Sequence, residues 1–106
     1  MPKYLLTASY TAEGVRGLLK DGGTKRRAAI EAAARSVGAT VEAMYFAFGD
    51  TDGFVVIDAP DAESAAALSL AVAASGAASN KTVALLTPEQ VDQAVRKSVG
   101  YTPPGS

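Results

Sequence analysis

Apolar positions fall in two periods along this chain. From Val41 to Phe48 and again from Phe54 to Ile57 the run is rich in aromatic and β-branched residues, which suit a pleated surface. Between the two runs, Gly49 through Gly53 is a cluster of turn formers, so the stretch predicts a β-hairpin. Strict alternation places Val41, Ala43, Tyr45 and Ala47 on one face with Val55 and Ile57. It places Glu42, Met44, Phe46 and Phe48 on the other with Phe54, Val56 and Asp58. Both faces are mostly apolar, with two carboxylates set into the second.

The remaining segments follow in order. Tyr4–Tyr10 alternates and predicts a first strand. Thr11 is placed as a helix N-cap, and Gly14, Gly17 and the run Lys20-Asp21-Gly22-Gly23 predict a short, broken helix. Thr24 caps a second piece reaching Val37, with Ile30, Ala33, Ala34 and Val37 as an apolar stripe at helical spacing. Arg27, Glu31 and Arg35 stand at four-residue steps on another face, and Gly38 fits a left-handed stop. Asp61 caps an alanine-rich helix from Ala62 to about Ser75, stopped at Gly76. Lys81–Leu86 is the last strand. Thr87-Pro88-Glu89-Gln90 then opens a final helix as a capping box, with an apolar stripe of Val91, Ala94, Val95 and Val99. The chain reads as one domain over 1–99, including a C-terminal helix over 88–99, followed by a mobile tail over 100–106.

Composition narrows the chemistry. Neither cysteine nor histidine is present, which removes disulfides, thiol nucleophiles, imidazole acid–base catalysis and histidine-ligated metal. No cofactor is expected. A net charge of −1 gives no basic field for nucleic acid or anionic lipid. No signal peptide or membrane span is read in the chain, so a cytoplasmic location is the expectation.

The order strand, helix, strand, strand, helix, strand, helix predicts an α+β fold. It matches the ferredoxin-like βαββαβ plan, an antiparallel sheet with helices on one face. Helices cover one side of such a sheet. On the alternation above, the other side holds Leu5, Met44, Phe46, Phe48, Phe54, Val56 and Leu86. Leaving it wet forfeits about 1.5–3 kcal/mol per large side chain. A second copy stacked on that face is the expected remedy, with Thr7, Ser9, Glu42, Asp58 and Thr82 between the sheets.

Several stretches resemble the GYD-domain family: Tyr4-Leu5-Leu6-Thr7-Ala8-Ser9-Tyr10, the helix with Arg26-Arg27, Phe46-Ala47-Phe48-Gly49-Asp50-Thr51-Asp52, Pro60-Asp61, and the alanine-rich helix ending in Ser75-Gly76. The resemblance covers roughly residues 3 to 90. The family's Gly-x-Tyr-Asp motif reads Gly49-Asp50-Thr51-Asp52 here, with Thr51 at the tyrosine position. The resemblance implies a dimeric α+β barrel, a homodimer with a ligand-sized cavity between sheet and helices. It carries over no catalytic residue.

The favoured functional reading is a small-molecule-binding protein taking an apolar or aromatic ligand. Met44, Phe46, Phe48 and Phe54 bound its cavity, and Thr7, Ser9 and Tyr10 supply polar contacts. One alternative is a cofactor-independent oxygenase or isomerase of the dimeric α+β-barrel type, with Glu42 or Asp58 as base. The plainer role of those carboxylates is a salt bridge to Lys81 or Lys3. A second alternative is a non-catalytic oligomeric or partner-binding module. Asp50 and Asp52 read as turn residues rather than a paired-carboxylate site. Lys20, Lys25, Arg26 and Arg27 read as a solvated charge run, or as an anion site at the helix start after Thr24.

Overall fold

The structure is a computed structural model describing residues Met1–Ser106. Its elements are β1 (Lys3–Tyr10), α1 (Ala12–Ser36), β2 (Thr40–Phe46), β3 (Gly53–Asp58), α2 (Ala62–Ala74), β4 (Ala78–Leu85) and α3 (Pro88–Val95). The fold is α+β, with four antiparallel strands in one open sheet in the order β2-β3-β1-β4, and three helices.

Thr11, Asp61 and Thr87 cap helices where the sequence places them, whereas Thr24 does not, because the second stretch of α1 already resumes at Gly23 after the break at Gly22. Thr11 Oγ1 accepts from the Gly14 N–H at 3.2 Å. Asp61 Oδ1 accepts from the Ser64 N–H at 2.8 Å. The Thr87/Gln90 capping box closes in both directions, at 3.1 and 2.7 Å. These contacts satisfy amide donors that have no partner within the first turn of a helix. The expected break in α1 falls at Gly22, whose φ of 78° leaves the helical region while Ala12–Asp21 and Gly23–Ser36 stay helical. The ion pair along α1 is Asp21–Lys25 at 3.5 Å, not a ladder through Arg27, Glu31 and Arg35. Two elements differ in extent from the sequence reading. β4 begins three residues earlier, at Ala78, and α3 ends at Val95 rather than Val99.

The largest correction concerns faces. Val41 pairs with Ile57, but the next matched pair is Ala43 with Val56, so Glu42 is an extra residue in a bulge. A one-residue slip turns every later side chain to the opposite face. Met44 and Phe46 therefore join Val55 and Gly53 on the helix-covered face. Ala43 and Tyr45 join Val56 and Phe54 on the open face. Phe46 sits against α1, its ring 3.2 Å from where a Cβ on Gly23 would stand. Thr82 pairs with Leu6 and belongs to the helix side.

The core is small. Leu6, Val55 and Ile57 from the sheet meet Ala34 of α1 and Ala65 and Leu68 of α2, and Ile57 is the only large side chain that is fully buried. Half of that eight-residue cluster is alanine, which buries little area. The open face keeps Tyr45 71%, Val83 48% and Phe54 36% exposed. α3 buries none of its residues, with Val91 and Val95 exposed. The radius of gyration is 16.8 Å, against about 13 Å for a compact chain of this length. No helix is long and apolar enough to cross a membrane.

Candidate functional site

The helix-covered face of the sheet holds a small, partly open apolar chamber of about 30 Å³. Leu6, Met44 and Val55 form its floor, Ile30 of α1 and Leu68 of α2 its roof. Each arrives there by element geometry. Residues two apart share a strand face, and residues four apart share a helix stripe. Asn80 closes one end. Its amide is held by Ser69, receiving the hydroxyl and donating to the Ser69 carbonyl at 3.0 Å. A half-buried amide satisfied in this way stabilises the junction of α2 with β4 rather than offering a free contact.

Tyr10 and Arg26 line this chamber and also a second, outer cleft of about 180 Å³. Glu13, Gly17, Leu18 and Asp21 of α1 complete the outer cleft. Tyr10 is fixed by its backbone. Its N–H donates to Asp52 Oδ2 at 2.9 Å, while the Asp52 N–H donates to the Ala8 carbonyl at 2.8 Å. Asp52 thus ties the hairpin loop to the end of β1. Arg26 differs from the other cations near it. Its Nε is buried and has no hydrogen-bond partner, and it makes no ion pair.

The residues named from the sequence divide among four places. Tyr10 and Met44 line the chamber, and Phe46 packs beside it on Gly23. Thr7 and Ser9 lie on the open face, in a polar recess of about 260 Å³ with Asp50 and Lys81. There Ser9 Oγ donates to the Asp50 carbonyl at 2.7 Å. Phe54 lies on the open face as well, and Phe48 is 94% exposed in the loop. Glu42 and Asp58 share the Lys3 ammonium at 2.7 and 2.8 Å. Lys3 is held above the ordinary lysine pKa by those contacts, the hydrogen bond to Asp58 first and that to Glu42 next. Each carboxylate therefore has a cation to hold, on the face away from the chamber.

Arg26 is the residue that sequence reasoning misplaced, by counting it into a solvated run. A signal for it was present. Arg26 precedes Ile30, Ala34 and Val37 at helical steps of four, four and three, so it extends the apolar stripe of α1. Arg27, one position on, is exposed.

Neither the curated proteins nor the solved structures compared with the chain include a match. A family model, the GYD domain, matches residues 4–95, from the second residue of β1 to the last residue of α3. That match spans the sheet, all three helices and every wall of the chamber, and on it the chain belongs to the GYD domain family.

Proposed function

We propose that this protein is a homodimeric small-molecule-binding protein whose ligand site is the chamber between helices and sheet. The observation that carries the reading is the chamber itself. It is almost wholly apolar inside, and Tyr10 and Arg26 stand between it and the outer cleft. Apolar walls with a few polar groups at one side are the usual composition of a ligand site. The strand order β2-β3-β1-β4, with α1 and α2 on one face, supports the ferredoxin-like arrangement. The small core and the apolar open face support a second copy stacked as a dimeric α+β barrel.

A panel of small aromatic and aliphatic compounds, followed by thermal shift, tests the binding reading. At least one compound raises the midpoint of the wild-type protein, in proportion to its occupancy. The shift is lost when Leu68→Phe fills the chamber. A stabiliser that acts equally on the filled variant places binding elsewhere.

One observation favours a second reading, the non-catalytic oligomeric module. The inner volume of about 30 Å³ is well under the several hundred Å³ of most ligand sites. A panel without a stabiliser, together with a stable dimer, selects that reading. The oxygenase or isomerase reading draws no support from Glu42 or Asp58, because both are engaged by Lys3.

A further inference from the structure

We propose that α3 is an arm exchanged between two copies of this chain. The α3 of each copy lies antiparallel to α2 of the other, in a shallow apolar groove between α2 and the edge strand β4. This surface is distinct from the chamber and from the open face of the sheet. It shares with the reading above only a second copy as partner.

Three observations meet here. The first is that arm and groove both stand uncovered in the single chain. α3 buries no residue and leaves Val91 and Val95, one turn apart, exposed. The groove, of about 430 Å³, has Ala66 and Leu70 of α2 along one side and Tyr4 and Ala84 of the sheet at its base. Between Ala62 and Ala74, α2 carries polar side chains only at Glu63, Ser64 and Ser69, yet Leu70 is 69% exposed. A helix that is apolar around its circumference is one that is covered all round. The groove follows α2 from Ala62 to Leu70, and the eight residues of α3 match that run at about 12 Å. The alanines along it allow a second helix to approach closely.

The second observation is area. The chain exposes 7078 Å², against about 5,500 Å² for a compact chain of its mass. That excess is larger than the roughly 800 Å² each partner gives to a stable interface.

The third is polarity, which decides whose arm fills the groove. Asp58 and Leu85 both pair with Lys3, so α2 begins and β4 ends at the same end of the sheet. Only Leu86 and Thr87 separate β4 from α3. An α3 folded back on its own chain would run parallel to α2, with Glu89 beside Asp61 and Glu63. That sets acid against acid and like helix poles side by side. An α3 from a second copy can run antiparallel, which brings Arg96 and Lys97 to Asp61 and Glu63. None of these four residues is in an ion pair within the chain. The exchange is reciprocal, so two arms close the assembly around a two-fold axis.

The absence of native cysteine makes a cross-linking test direct. Single variants Val95→Cys and Ala62→Cys, both at exposed positions, are co-expressed in the full chain and oxidised. Thermal melts establish that each folds. Antiparallel exchange brings these two positions together, whereas parallel docking brings Val91 to Ala62. The expected result is a disulfide-linked pair containing one chain of each variant, at least about tenfold more abundant than that from Val91→Cys with Ala62→Cys, because a disulfide tolerates little separation. Equal yield from Leu19→Cys with Ala62→Cys marks random collision and overturns the proposal. A link within one chain of the Val91→Cys/Ala62→Cys double variant places the arm on its own groove and also overturns it. If no pair links while the wild type is a dimer by light scattering, the arm exchange is overturned and the sheet-face dimer stands. If the arm pair links while Phe54→Lys leaves the mass unchanged, the exchange stands and the sheet-face contact falls.

Discussion

Lys3 and Asp58 face each other across β1 and β3 as direct register partners, and the ammonium donates to Asp58 Oδ1 at 2.8 Å. Glu42, displaced by the bulge in β2, reaches the same ammonium at 2.7 Å. One cation thus holds three strands together at the end where the chain begins. The arrangement has a definite pH signature.

The Lys3 pKa is raised above 10.5. A raised folded-state value means that the stabilisation is complete below the unfolded value and is lost as pH rises through the folded one. Lys3→Met is therefore expected to lower the thermal midpoint by a steady amount from neutral pH to about pH 10, with the gap closing at higher pH. Melting curves of the two proteins across that range check it. A gap that stays constant well above 10.5 would show that the lysine stem, not its charge, matters.

Gly14 and Gly17 lie one turn apart on α1 and should respond oppositely to alanine. A Cβ on Gly14 would stand 2.0 Å from the Ala77 carbonyl oxygen, which itself accepts the Thr11 N–H at 3.0 Å. Gly14→Ala must push α1 off that junction and is expected to cost about 1–3 kcal/mol. Gly17 meets nothing within 4 Å, so Gly17→Ala is expected to stabilise by about 0.4–1 kcal/mol through the unfolded chain. Urea unfolding of both variants measures the pair, and equal effects in the same direction would refute the packing account.

The proposed dimer predicts where charge is not tolerated. Phe54 and Val83 share the open face, while Leu19 is 81% exposed on α1. In light scattering after size exclusion, the wild type is expected at twice the chain mass. Phe54→Lys and Val83→Lys should shift it toward the single chain, and Leu19→Lys should not. A wild type that runs as a single chain at micromolar concentration removes the sheet-to-sheet interface.

Most of the element order was readable from local chemistry. Thr11, Asp61 and Thr87 each announced a helix start, and Gly22 lay inside the run where a break was expected. The faces of β2 were not readable, and the reason is physical. Both faces of the hairpin are apolar, so no wet side existed to fix the register, and the bulge at Glu42 shows only in the pairing. That one extra residue moved Met44 and Phe46 from the expected open face to the helix side, and it separated Met44 from Phe54. The sequence reading bounds a cavity with Met44, Phe46, Phe48 and Phe54, and of these Met44 alone lines the chamber. Tyr10 was named, whereas Arg26 was masked by its basic neighbours although it continues the stripe of Ile30 and Ala34.

At Gly22 the backbone passes from one helical stretch to the next through a single residue with φ 78° and ψ 173°. Glu13 and Leu18 ride on the stretch before it, Arg26 and Ile30 on the stretch after it. The two banks of the outer cleft are therefore carried by separate helical stretches that meet at a single glycine. Any side chain at residue 22 would be strained at this φ, so the mutual setting of the two stretches, and with it the shape of the cleft, depends on a residue that touches neither of its walls.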